Sequence, residues 1–288
     1  MLAYVERYVR DLEQDADSLP RSEIFKKLGA LGLDDCGEFL LSLPNASFPR
    51  LSRSLPRMAS DQIQRDWTGN CGIPLLKQTL NFVRSMSATY TRLTGRAVQD
   101  ASVLDYGCGY GRIARLMYAY VDEANLWGVD PWDRSIEICH ADGMGPNFVQ
   151  SDYLPESLPV AGRTFDLIYA FSVFTHLSKR ATLASLRVLR KHIKPDGVLL
   201  ITIRPEEYWA KDSHTTPKQK HDLVQQHNDI GFAFSPHCRE AIDGDITYGD
   251  TSFTLAWLEA NAPEWQIVAT DRSLEDSLQR YIFLTPRA

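Results

Sequence analysis

From residue 101 onward the chain alternates short apolar runs with amphipathic stretches, and this alternation restricts its fold more than any other feature. "ASVLD" (101–105) reads as a strand, and "RIARLMYAY" after it places Ile113, Leu116, Met117 and Tyr120 at helical spacing. "LWGVD" (126–130) precedes "DRSIEICHA" (133–141), and "NFVQSD" (147–152) runs into a proline-rich turn. "FDLIYAFSVF" (165–174) precedes "KRATLASLRVLRKHI" (179–193), and "GVLLITI" (197–203) follows the turn "KPDG". Strands that alternate with helices specify a parallel sheet with helices on both faces. The last two runs, "EWQIVATD" (264–271) and "QRYIFLTPR" (279–287), are too close for a helical crossover and are expected to pair antiparallel.

The first turn of this α/β region carries Gly107, Gly109 and Gly111 at every second position, with Asp105 just before them. Glycines so close together suit a ligand that comes nearer to the backbone than a Cβ would permit, and the helix that follows aims its first N–H groups at the turn. A dinucleotide fingerprint reads G-x-G-x-x-G, which is not this spacing. A carboxylate at Asp105 would also repel a pyrophosphate, but suits a ligand carrying a positive group and no phosphate.

"VLDYGCGYGR" resembles the first motif of the class I S-adenosylmethionine-dependent methyltransferases, an acid followed by G-x-G-x-G. The resemblance extends from about residue 71 to the end, with Asp130, Asp152, "FDLIYAFSVFTHL" and "IKPDG" following in the family's order. It implies a seven-stranded, mostly parallel sheet with an antiparallel last strand, and S-adenosylmethionine as cofactor. It further implies that Asp105, Gly107, Cys108, Gly109 and Gly111 form the cofactor loop. Asp130, nineteen residues after Gly111, would accept hydrogen bonds from the ribose, as acids at the end of a second strand do. Pro131 and Trp132 would offer an apolar face to the adenine, although Trp132 also suits a core. Asp152 and Tyr153 would meet the adenine amino group, and Phe171 with Ser172 would lie under the methionine portion. A nicotinamide oxidoreductase, or a methyltransferase-like subunit without turnover of its own, is the rival reading.

Methyl transfer needs alignment of the acceptor and, for a protonated acceptor, a base. His176, just past the fourth strand, is the expected base; a histidine that bridges to the next helix is the alternative. The segment 204–252 is long enough to form an acceptor pocket or its cover, in which Arg204 is a candidate substrate contact and Tyr208, His214, His237 and Tyr248 could bind substrate hydroxyls or act as the base, surface positions being the alternative. "GFAFSP" (231–236) and "DITYGDTS" (245–252) are expected to pair as a hairpin at the sheet edge. The acceptor is expected to be a small polar or sugar-containing metabolite methylated on oxygen, with a nitrogen acceptor as the alternative.

Residues 1–66 read as a helical extension and linker, and 67–288 as the methyltransferase domain. Leu2, Val5, Val9 and Leu12 make an amphipathic helix that could serve a homodimer, a second helix starts near Pro20, and 43–60 reads as irregular. Leu75, Leu76, Leu80, Phe82, Val83 and Met86 mark a long helix. Trp67, Gly69 and Gly72 could form a lid over the cofactor. The net charge of −6 is spread without a basic block, so neither nucleic acid nor an anionic membrane is an expected partner. Five scattered cysteines without a C-x-x-C pair suit a reducing cytoplasm and offer no metal motif.

Overall fold

A computed structural model describes residues 1–287, in two compact units, Met1–Gln150 and the remainder from Ser151 on.

In the first unit, helix Ala3–Asp15 buries the stripe Val5, Val9 and Leu12 inside the unit itself. Helix Arg21–Gly29 follows, as expected, and then helix Leu33–Leu41, whose "LDDCGEFLL" combines an acidic first turn with buried Cys36, Phe39 and Leu40. The supposedly irregular 43–60 contains a short helix, Pro49–Ser54, with its proline at the start, where a missing N–H does no harm. Ser60 then caps helix Asp61–Thr68, its side chain accepting from the Ile63 N–H. The long helix Gly72–Thr94 buries Leu75, Leu76, Leu80, Phe82, Val83 and Met86, and each such side chain contributes about 1.5–3 kcal/mol. Three parallel strands complete the unit: β1 (Val103–Tyr106), β2 (Leu126–Asp130) and β3 (Phe148–Gln150). Helices Arg112–Met117 and Asp133–Ala141 connect them.

The second unit begins its sheet with β4 (Phe165–Ala170), parallel to β5 (Ile193–Ile203) across helix Lys179–His192. β5 starts four residues earlier than the "KPDG" turn suggested: Ile193 already pairs with Phe165, and the register then jumps to Leu167 opposite Val198. The turn residues are therefore a bulge inside a strand. Helices Glu207–Lys211 and Pro217–Ile230 follow, the second opened by a capping box between Thr216 and Gln219. The expected hairpin forms as β6 (Phe232–Pro236) against β7 (Gly249–Phe253), a separate two-stranded sheet and not an addition to the main sheet's edge. Helix Leu255–Asn261 leads to β8 (Trp265–Arg272) and β9 (Arg280–Pro286), which are antiparallel to each other, and β9 is antiparallel to β5. The seven-stranded order is β3-β2-β1-β4-β5-β9-β8.

Candidate functional site

In the first unit the residues that follow β1 and β2 come together around the glycine loop. Gly107, Gly109 and Gly111 all have positive φ, at +73°, +54° and +75°. A Cβ on Gly109 would meet only ring carbons of Trp67, at 3.9 and 4.0 Å, so the loop is bare on that side. A Cβ on Gly111 would instead crowd Met144 at 3.1 Å and Cys139 at 3.3 Å; that glycine serves helix packing.

The N–H groups of the three glycines and Cys108 are already committed. Those of Gly107 and Cys108 donate to the Val129 carbonyl at 2.8 and 3.0 Å, and that of Gly111 to the Cys108 carbonyl at 2.9 Å. The Gly109 N–H donates to Asp130 Oδ2 at 2.9 Å, while Asp130 Oδ1 accepts from the Trp132 N–H at the same distance. A phosphate-binding turn keeps such groups for its ligand; here a carboxylate and two carbonyls take them. Asp130 is 9% exposed, and burial raises its carboxyl above the ordinary carboxylate range against the hydrogen bonds from Trp132, Gly109 and Ser135. With roughly four acceptor positions on a carboxylate, those three bonds leave room for one more donor. Asp105 is 2% exposed in β1.

The other cofactor candidates of this unit divide. Trp132 is partly buried and stacks on Trp67 at 4.7 Å and 25°, and Trp67 also meets Tyr110 at 5.5 Å. Trp67 therefore lies on the glycine loop, as a lid would. Gly69 and Gly72 are structural: Gly69 ends its helix in the left-handed conformation, and the Gly72 N–H donates to the Gln64 side chain. The Pro131 carbonyl accepts from Gln150 at 3.2 Å. Cys108 is buried, and its thiol is pushed well up, first by burial and then by Cys139, so it presents no reactive sulfur.

In the second unit Asp152 is exposed just before the partly buried Tyr153, and Phe171 is buried with its ring 6.5 Å from that of Tyr281. Ser172 has φ +59°, its N–H donates to Thr202 Oγ1 at 2.7 Å, and its hydroxyl accepts from Gln279 at 3.0 Å.

Beyond the carboxyl ends of β4 and β5 stands a polar cluster whose centre the sequence did not disclose. β7 runs beside the segment after β4: Thr251 N–H donates to the Thr175 carbonyl at 2.9 Å, and Gly249 N–H to the His176 carbonyl at 2.8 Å. That pairing fixes Asp250, which is 6% exposed. Its Oδ1 accepts from the Arg204 guanidinium and from the Tyr208 hydroxyl at 2.9 Å, and its Oδ2 lies 2.8 Å from His237 Nε2. Burial pushes this carboxyl up, but the His237 hydrogen bond and the charge and hydrogen bond of Arg204 outweigh it and hold it at about 2. An acid inside "DITYGDTS", a stretch expected to pair as a strand, was the available signal.

His176 does not have the setting of a general base. Its Nδ1 lies 2.8 Å from the Gly249 carbonyl, which only accepts, so Nδ1 carries the proton; Nε2 then faces the Arg204 guanidinium at 3.3 Å as an acceptor. Burial, with the Arg204 charge second, lowers its pKa to about 3. The ring is neutral, and its 3.5 Å approach to Asp250 is not an ion pair. These contacts argue against the base role expected of His176, and its ring bridges Gly249 and Arg204, not the next helix. Arg204 is 9% exposed and also donates to the Thr175 carbonyl at 2.9 Å, so its guanidinium is engaged within the cluster. Tyr208 lies 3.9 Å below the Arg204 guanidinium, and burial raises its hydroxyl far above the ordinary range. Tyr248 stacks on His176 at 5.1 Å and 7° and carries the exposed Arg239 above it at 4.1 Å. His237 keeps 41% of its side chain exposed. His214 donates its N–H to Asp212 and does not enter the cluster. Among the described residues no group of side chains could hold a metal ion, and no helix is long and apolar enough to cross a membrane.

A family model described as "Methyltransferase domain" matches residues 78–279. A malonyl-[acyl-carrier protein] O-methyltransferase of Halalkalibacterium halodurans is 25% identical over 173 residues, 56% of this chain and 63% of that protein. A ubiquinone biosynthesis O-methyltransferase of Azorhizobium caulinodans is 27% identical over 128 residues, 43% of this chain and 49% of that protein. The chain thus spans less than two thirds of either relative. Among solved structures, an S-adenosylmethionine-dependent methyltransferase from Clostridium acetobutylicum aligns with 79% of this chain and 97% of its own at a TM-score of 0.49 and 11% identity.

Proposed function

We propose a function from the premise that this chain belongs to the methyltransferase domain family, whose model spans residues 78–279: it transfers a methyl group from S-adenosylmethionine to an oxygen of a small polar or sugar-containing metabolite. The observation that carries the cofactor is the committed state of the glycine loop. The N–H groups of its glycines and Cys108 are bonded to Val129, Asp130 and Cys108, and buried carboxyl groups stand at Asp105 and Asp130. Such a loop repels a pyrophosphate and suits a nucleoside with a sulfonium and an ammonium group. When bound, that cofactor supplies an electrophilic methyl carbon. The chain's own residues would do the rest: the bare face of Gly109 admits the ligand, Asp130 has one acceptor position left for a ribose hydroxyl, and the Trp67–Trp132 stack excludes water.

Oxygen is favoured by the two O-methyltransferase relatives and by a polar cluster able to handle a hydroxyl proton. A small molecule is favoured by the acidic balance of the chain. The test is to supply S-adenosylmethionine labelled in its methyl group together with tRNA, DNA, protein extract or a deproteinised metabolite extract. Label is expected in the metabolite pool; label that accumulates in a macromolecule and persists at high salt contradicts the reading.

A further inference from the structure

The polar cluster contains two histidines whose environments are opposite. His176 spends both ring nitrogens, one on the Gly249 carbonyl and one on Arg204. His237 spends one, and its Nδ1 makes no hydrogen bond among the described residues. Because Asp250 is ionised and can only accept, the His237 nitrogen facing it at 2.8 Å is the protonated one. Nδ1 is then the bare, proton-accepting nitrogen, on a side chain 41% exposed. Asp250 is itself immobilised by Arg204 and Tyr208, and the His237 backbone is pinned by its N–H to the Tyr248 carbonyl at 3.1 Å. A carboxylate that fixes the tautomer and orientation of an imidazole, leaving the far nitrogen open, is the arrangement of an activated base.

We propose that the His237–Asp250 pair takes the proton from a hydroxyl-bearing acceptor, with Nδ1 of His237 as the accepting atom and Asp250, Arg204 and Tyr208 as positioning residues. The proposal rests on the methyltransferase reading above and narrows it. An acceptor that is already ionised, such as a carboxylate, needs no base; a neutral hydroxyl does. The acceptor oxygen forms its bond to the methyl carbon while its proton passes to His237 Nδ1. The electron pair of the broken carbon–sulfur bond stays on sulfur, which leaves as a neutral thioether, and the positive charge of the sulfonium is matched by the imidazolium formed. Facing His237 are Asp250, the Tyr248 ring at 5.5 Å, and His176 at 6.4 Å, which is held neutral; the Arg239 guanidinium lies over the Tyr248 ring at 4.1 Å. Asp250 is thus the group that fixes which ring nitrogen of His237 carries the proton and which is open.

The test uses the full chain, methyl-labelled S-adenosylmethionine and the deproteinised metabolite extract as the acceptor pool. His237→Gln keeps an N–H for Asp250 but removes the base, so the transfer rate should fall on the order of 10² to 10⁴ while affinity for S-adenosylhomocysteine stays within about twofold. Added imidazole should restore part of the rate, which a purely structural role would not allow. Nitrogen-15 spectra of histidine-labelled protein should show Nε2 of His237 protonated and Nδ1 bare, with this pattern lost in Asp250→Asn. A rate unchanged within about threefold in His237→Gln, with active wild type, overturns the proposal and leaves the methyltransferase reading standing. A protonated Nδ1 on His237 overturns it equally. Wild-type protein that transfers no label to any pool overturns the functional reading, and the proposal with it.

Discussion

Asp130 and Asp250 are both buried carboxylates with both oxygens engaged, yet burial raises the first and the second is held at about 2. Asp130 receives only neutral donors, the N–H groups of Gly109 and Trp132 and the Ser135 hydroxyl. Asp250 receives the guanidinium of Arg204. Neutral dipoles satisfy a carboxylate's lone pairs without cancelling its charge; a buried cation cancels it. The glycine loop thus retains negative potential for a positively charged ligand, whereas the hairpin cluster is balanced internally and serves to hold a histidine in place.

The sharpest way to break this contrast is to remove each carboxylate. Asp250→Ala strands a buried guanidinium and should lower unfolding free energy by about 3–5 kcal/mol. Asp130→Ala frees backbone donors at a partly open loop and should lower it by only about 1–3 kcal/mol. Urea unfolding of both variants decides the point, and equal losses would remove the distinction between charged and neutral partners.

Acid sharpens it further, because His176 and Asp250 both have depressed folded pKa values, at about 3 and about 2. The unfolded chain binds a proton at His176 below about pH 6.5 while the folded chain does not until about 3, so stability is present above 6.5 and declines as pH falls through this window. Asp250 adds a second loss as pH falls from about 4 toward 2. We expect about 2–4 kcal/mol of the loss between pH 7 and pH 4 to disappear in His176→Gln, measured by urea unfolding at each pH. A pH dependence identical to wild type would show that His176 titrates normally.

Much of the frame was legible because local and global signals agreed. The strand and helix alternation, the antiparallel end and the hairpin all come from period and turn residues, and "VLDYGCGYGR" places its glycines where positive φ is required. Helix Leu33–Leu41 was missed because Gly37 interrupts its pattern, although that glycine lies against Leu76 and Leu116, where a larger residue would crowd them. The "KPDG" bulge was misread because proline and glycine signal a turn whether or not the strand continues through it. The cluster was the least legible part. Asp250, His237, Arg204 and His176 are far apart in sequence, and only the pairing of β7 with the segment after β4 reveals which histidine is spent and which is open.

The central claim is that the glycine loop holds S-adenosylmethionine and not a dinucleotide. Titration calorimetry of the full chain with S-adenosylmethionine, S-adenosylhomocysteine and the nicotinamide dinucleotides tests it directly. The account predicts saturable binding of the first two and none of the dinucleotides; dinucleotide binding without binding of S-adenosylmethionine would contradict it.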